Sequence, residues 1–143
     1  MSVDRHLPVF VYGTLRVGGR FHRSRLAGRF VSVRPASLAG AHMWDNRGSY
    51  PMVVLDPSAG DVTGELFEID ETIFAEVLAG LDHLEGHVPE EDGNLYERVI
   101  VEVDTAGAAV EAWIYVMARS EMPRLDRELS RIASGDWFDR PTP

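Results

Sequence analysis

The sequence contains no cysteine, which removes disulfides, thiolate metal sites and a cysteine nucleophile together. A reducing compartment is thereby permitted. No apolar stretch approaches the roughly 20 residues that span a bilayer, and the opening MSVDRHLPVF lacks a basic region followed by a long apolar core. These absences point to a soluble, cytoplasmic protein. Positive charge is scarce: 14 basic side chains stand against 23 acidic ones, and a formal net charge of −9 opposes broad contact with a phosphate backbone. Neither nucleic acid nor a membrane is an expected partner. Internal repeats, low-complexity tracts, a P-loop, GxGxxG spacing and a GxSxG elbow are also missing.

What is present is enough for a core. With 143 residues, 45% of them hydrophobic, the chain falls in the range of one domain that buries most of its apolar surface. The expected core runs over about residues 8–138, with DRPTP as a frayed tail. Val, Phe and Tyr cluster from Leu7 to Tyr12, a strand stopped by Gly13. FHRSRLAG reads as one or two helical turns ending at Gly28. Between Arg29 and Glu68 short apolar or alternating pieces are punctuated by Pro35, NRGS and PSAGD, which predicts three or four antiparallel strands. ERVIVEV and VEAWIYVM flank DTAGA and predict a hairpin.

Two segments change period. In DETIFAEVLAGLDHLEG, residues Phe74, Val77, Leu78, Leu81 and Leu84 recur at spacings of three and four, with Asp70 as N-cap and Gly86 as the left-handed stop. PRLDRELSRIAS predicts a second helix from Pro123, with Leu125, Leu129 and Ile132 aligned and Gly135 as terminator. Strands with two or three helices predict an α+β fold whose sheet is strongly curved or closed.

Glu85 is out of place on the first of these helices. At about 100° per residue it points with the Phe74, Leu78 and Leu81 stripe, whereas Asp82 lies on its flank and His83 on the solvent side. A carboxylate on a buried face at the last helical turn is disfavoured by desolvation and by the negative end of the macrodipole. Both effects raise its pKa toward the range useful for general acid–base work. The alternative is a salt-bridging glutamate paired with Arg98. Earlier, the strand that breaks at Gly13 exposes successive backbone N–H groups that can cradle an anion, with the Thr14 hydroxyl as a further donor. A plain β-turn is the competing interpretation.

FVYGTLRVGG, SYPMVV, VTGELFEID, LDHLEG, LYERVIVEV and AWIYV occur in the order found in the gamma-glutamylcyclotransferase-like family. Over about residues 8–117 the chain resembles that family, most closely its AIG2-like, gamma-glutamylamine cyclotransferase branch. The resemblance implies a small mixed β-barrel flanked by two or three helices, with Glu85 as proton acceptor. It implies that the backbone of Tyr12, Gly13, Thr14 and Leu15 holds a gamma-glutamyl unit. The implied reaction closes the alpha-amine onto its own gamma-carbonyl and releases 5-oxoproline and an amine. No metal or other cofactor is expected, and the expected state is a monomer acting on a small molecule.

Other residues carry alternatives. The Tyr115 hydroxyl either reaches the pocket or is satisfied by a backbone carbonyl, and Tyr50 and Tyr96 are candidate walls. HVPEEDGN is acidic and longer than the matching segment of the family, so Glu90, Glu91 or Asp92 either meet a cationic amine or are solvated. A non-catalytic module binding a small anion needs the cradle but not Glu85. A zinc site at His83 and His87 lacks further clustered ligands, and Gly86 interrupts the helix between them.

Overall fold

The computed structural model describes residues 4–87 and 94–139. Five strands close a barrel in the order β1 (Val9–Val11), β5 (Asp61–Glu68), β2 (Ser32–Ala39), β6 (Tyr96–Thr105) and β7 (Ala108–Met117). β1 runs parallel to β7 at Val9 and Trp113 and antiparallel to β5, so the sheet is mixed, as the family resemblance implies. β3 (Ala41–Asn46), β4 (Tyr50–Leu55) and β8 (Ser130–Ile132) form a second sheet in the order β4-β3-β8. The predicted antiparallel strands of residues 29–68 are thus four in number and divide between the two sheets. The β6–β7 hairpin pairs Tyr96 with Met117 and Thr105 with Ala108. Its two-residue turn places Ala106 and Gly107 at positive φ, which matches the right-handed twist of the flanking strands.

Strand alternation builds two cores. Val9 and Val11 of β1 and Tyr115 and Met117 of β7 pack with Phe74, Val77, Leu78 and Leu81 of α2 (Phe74–Leu84). Phe10, Tyr12, Ile114 and Val116, one residue out of phase, face a second cluster drawn from all five barrel strands and from Met43, Val53 and Ile132 of the other sheet. β1 is therefore buried on both faces. That is why its sequence is a continuous apolar run.

α1 (His22–Arg25) is the predicted short helix, and the chain leaves it through Gly28 at φ +76°. α2 ends as expected at Gly86, φ +67°, where the His87 amide reaches the Asp82 carbonyl at 2.9 Å and the Gly86 amide reaches that of His83 at 3.3 Å. Its start departs from expectation. Asp70 does not cap the helix: its carboxylate accepts from the amide and hydroxyl of Thr72 at 2.8 and 2.5 Å, a local turn that delays the helix to Phe74.

The second predicted helix is also corrected. A 3-10 turn (Arg119–Arg124) leads into the single turn α3 (Leu125–Glu128), and Leu129 then turns extended at ψ 152°. Ser130–Ile132 pairs with the open edge of β3, with Ile132 opposite Met43. Long-range strand pairing and burial of Ile132 outweigh a helical spacing that the segment also satisfies.

Candidate active site

Five elements deliver one pocket. The turn after β1 contributes Tyr12, Gly13, Thr14 and Leu15, the start of β4 contributes Tyr50 and Pro51, and Tyr96 and Tyr115 come from β6 and β7. Glu85, the C-cap of α2, completes the wall. The structure thus gathers in one pocket Glu85, Tyr12, Gly13, Thr14, Leu15, Tyr50, Tyr96 and Tyr115, all singled out from the sequence. All four tyrosines of the chain line this one cavity. Its volume is about 30 Å³. Larger cavities of about 190 and 390 Å³ lie beside α2 and beside the N-terminal segment. Chemistry rather than size distinguishes the first.

Glu85 as a whole residue is half-buried. Desolvation by the surrounding protein lifts its pKa from an ordinary value of 4.5 to about 7. Among the described residues its carboxylate has no hydrogen-bond partner; its backbone amide bonds to Leu81 O at 2.9 Å. The phenols around it are displaced the same way. Burial, then the nearby Glu85 charge, raises Tyr12. Burial, then Tyr12 and Glu85, raises Tyr96. These walls stay neutral.

The turn after β1 is held by its carbonyls. The Arg16 amide donates to Gly13 O at 3.1 Å, the Phe21 amide to Thr14 O at 2.8 Å, and His22 Nδ1 lies 3.0 Å from Leu15 O. Among the described residues the amides of Gly13, Thr14 and Leu15 meet no acceptor, so three consecutive donors remain available at the pocket edge. Gly13 has a further reason to be glycine. A Cβ there would stand 2.3 Å from Cγ of Pro51, so the close approach is to the β4 proline.

Arg98 pairs with Asp82, not with Glu85. Its Nε and Nη2 donate to the two Asp82 oxygens at 2.7 and 3.1 Å, and Nη2 also reaches Asp4 at 3.1 Å. The guanidinium lies over the Trp113 ring at 4.5 Å. The Tyr115 hydroxyl donates to Asp82 Oδ1 at 2.6 Å, and so neither expectation for it, an open pocket or a backbone carbonyl, describes its bond. Tyr115 supplies instead the carbonyl that accepts from the Tyr12 hydroxyl at 2.5 Å. Tyr96 donates to Pro51 O at 2.6 Å.

The Asp82–Arg98 pair was not picked out from the sequence, whereas Tyr96 was expected as a wall and does line the pocket. The available signal was Asp82 on the flank of an apolar stripe, which requires a cation if it is buried. His83 is exposed on α2, while the His87 ring faces the Tyr96 carbonyl at 3.2 Å. Among the described residues no group of three or more His, Asp or Glu side chains could hold a metal ion. The positions of Glu90, Glu91 and Asp92 lie outside the described residues. No described helix is long and apolar enough to cross a membrane.

Residues 9–139 match the model of the family described as gamma-glutamyl cyclotransferase, AIG2-like. The chain is 34% identical over 137 residues to the gamma-glutamylcyclotransferase family protein YtfP of Escherichia coli K12, covering 92% of this chain and 96% of that one. It is 34% identical over 114 residues to the gamma-L-glutamyl-butirosin B gamma-glutamyl cyclotransferase of Niallia circulans, with 79% and 68% of the two chains covered. The crystal structure of YkqA from Bacillus subtilis superposes with a TM-score of 0.63 at 25% identity over 93% of this chain; the match spans 40% of YkqA. The barrel with its attached sheet and the match over nearly the whole described chain place this protein in the gamma-glutamyl cyclotransferase, AIG2-like family.

Proposed function

We propose that the protein releases 5-oxoproline and a free amine from a gamma-glutamyl amine, with Glu85 moving the protons. The supporting observation is the meeting, in one pocket, of a carboxyl poised near neutrality and a turn with three unused amide donors. A gamma-glutamyl head carries an alpha-ammonium group whose unperturbed pKa is roughly 7.7 to 8.0. A carboxylate at about 7 takes that proton with little driving-force penalty, which is where general-base catalysis is most effective.

The freed nitrogen lone pair attacks the gamma-carbonyl carbon. The ring C–N bond forms, the amide C–N bond breaks, and its electron pair departs with the leaving nitrogen. Two protons leave the alpha-nitrogen and two reach the departing amine, so Glu85 ends a turnover as it began. The Gly13, Thr14 and Leu15 amides suit the alpha-carboxylate or the tetrahedral oxyanion, and curling the substrate against them converts attack into a near-unimolecular step. The aromatic walls exclude water without competing for the proton.

Glu85→Gln keeps the shape and removes the base. Release of 5-oxoproline from gamma-glutamyl amines should fall by roughly 10²- to 10⁴-fold, and the rising limb of kcat/KM near pH 7 should disappear. Unchanged turnover by this variant would overturn the mechanism. A wild-type protein that binds gamma-glutamyl compounds but turns over none would instead support the non-catalytic binding module.

A further inference from the structure

Glu85 has a peculiarity that its role makes acute. A base must be placed within about 0.5 Å of its productive position, yet among the described residues nothing bonds to its carboxylate. Its placement therefore depends on how the end of α2 is held. Three contacts hold that end against the barrel. The Asp82 carboxylate is gripped by Arg98 of β6 and by the Tyr115 hydroxyl of β7. One turn later the Leu95 amide donates to Gly86 O at 3.3 Å. The third is the His87 ring against Tyr96 O at 3.2 Å.

The first contact is the strongest. The Asp82 and Arg98 side chains are only 12% and 3% exposed, and the bond is bidentate. Burial works against the Arg98 charge, but the hydrogen bonds to Asp82 and Asp4 outweigh it and raise its pKa. Asp82 lies three residues before Glu85, so the two share a helix face. Tyr115 touches the network on both sides: its hydroxyl holds Asp82, its carbonyl holds Tyr12, and it lines the pocket.

We infer that Asp82, Arg98 and Tyr115 are positioning residues, a buried clamp that sets the end of α2 and thereby aims the Glu85 carboxyl into the pocket. The inference rests on the proposed role of Glu85. It assigns to Tyr115 a hydroxyl spent on Asp82 rather than on substrate. The groups that face Glu85 are the phenols of Tyr12, Tyr50, Tyr96 and Tyr115, with Asp82 and Arg98 behind Tyr115, Asp4 beyond Arg98, and His83 and His87 on its own segment. Burial is the cause of the raised Glu85 pKa. A loosened helix end would admit water and lower it.

Tyr115→Phe deletes one hydroxyl, and Asp82→Asn keeps the shape while breaking the ion pair. In both, kcat should fall about tenfold or more with KM within about twofold, because proton transfer and not substrate grip depends on the clamp. The double variant should be no worse than Asp82→Asn alone, as members of one network are non-additive. A second readout needs no turnover: ¹³C titration of the Glu85 carboxyl should move down by about one pH unit in folded Tyr115→Phe. Folded variants with wild-type kcat, a loss confined to KM, multiplying effects, or an unmoved Glu85 titration would each overturn the clamp. Glu85→Gln, assayed alongside, separates the cases. If it retains turnover, the role of Glu85 fails, whereas the titration still decides whether the clamp places its carboxyl.

Discussion

The Glu85 side chain carries a stability cost that its chemistry explains. Its folded pKa of about 7 lies above the ordinary 4.5, so the folded state favours the protonated form. The sign follows from linkage. Below pH 4.5 the group is protonated whether the chain is folded or not and costs nothing; as pH rises through about 7 the unfolded chain gains from ionising and the native state loses relative stability. At about 1.4 kcal/mol per pH unit the loss is on the order of 3 kcal/mol by pH 8. Glu85→Gln cannot ionise and should escape it. Urea unfolding should show the variant gaining about that much on wild type between pH 4 and pH 8, and an equal difference at both pH values would mean the carboxyl is not desolvated. The tyrosines give a companion test. Burial raises Tyr12, Tyr96 and Tyr115, so in difference absorbance these three phenols should stay un-ionised where a free phenol ionises, for as long as the protein remains folded.

Among the elements, two glycines make a matched pair. Gly13 is buried in the turn after β1, and an added methyl would meet the Pro51 ring at 2.3 and 2.7 Å from Cγ and Cδ. Gly13→Ala must push the turn from β4, so it should lose about 1–3 kcal/mol and most activity with it. Gly80 lies inside α2, and a Cβ there meets nothing within 4 Å. Gly80→Ala should gain up to about 1 kcal/mol and leave kcat/KM unchanged. Thermal melts with a paired assay check both; a harmless Gly13→Ala would refute the tight approach. The elements also show what local pattern can and cannot reveal. The α2 stripe was legible because four inward positions, Phe74, Val77, Leu78 and Leu81, repeat along one helix and all are buried. Leu125–Glu128 is helical as expected, but residues 129–132 were misread because Leu125, Leu129 and Ile132 fit a helix in isolation, and the deciding partner, the edge of β3, lies more than 80 residues away.

For the whole molecule, the C-terminal segment closes the structure. β8 covers the β3 edge, Trp137 and Ile132 are buried, and the Gly135 carbonyl accepts from Thr63 of β5 at 2.8 Å. Arg16, just past the pocket turn, donates to Asp136 at 2.7 Å and to Glu65 at 3.4 Å. Ending the chain after Leu129 removes two large buried side chains and opens a strand edge, a loss of several kcal/mol from a typical total of about 5–15. The truncated protein should melt at least about 10 °C lower or aggregate, and calorimetry with gel filtration would show which; an unaltered melt would mean the segment is not integral. The sequence by itself determined the strand-rich α+β architecture, the α2 stripe and the inward direction of Glu85, because these follow from periods of two and 3.6 within short windows. Only the tertiary structure decided that Arg98 neutralises Asp82 rather than Glu85, that the Tyr115 hydroxyl faces Asp82, and that Ser130–Ile132 is a strand. Each of those outcomes is a choice between partners distant along the chain, and barrel closure, not local preference, brings the partners within bonding distance.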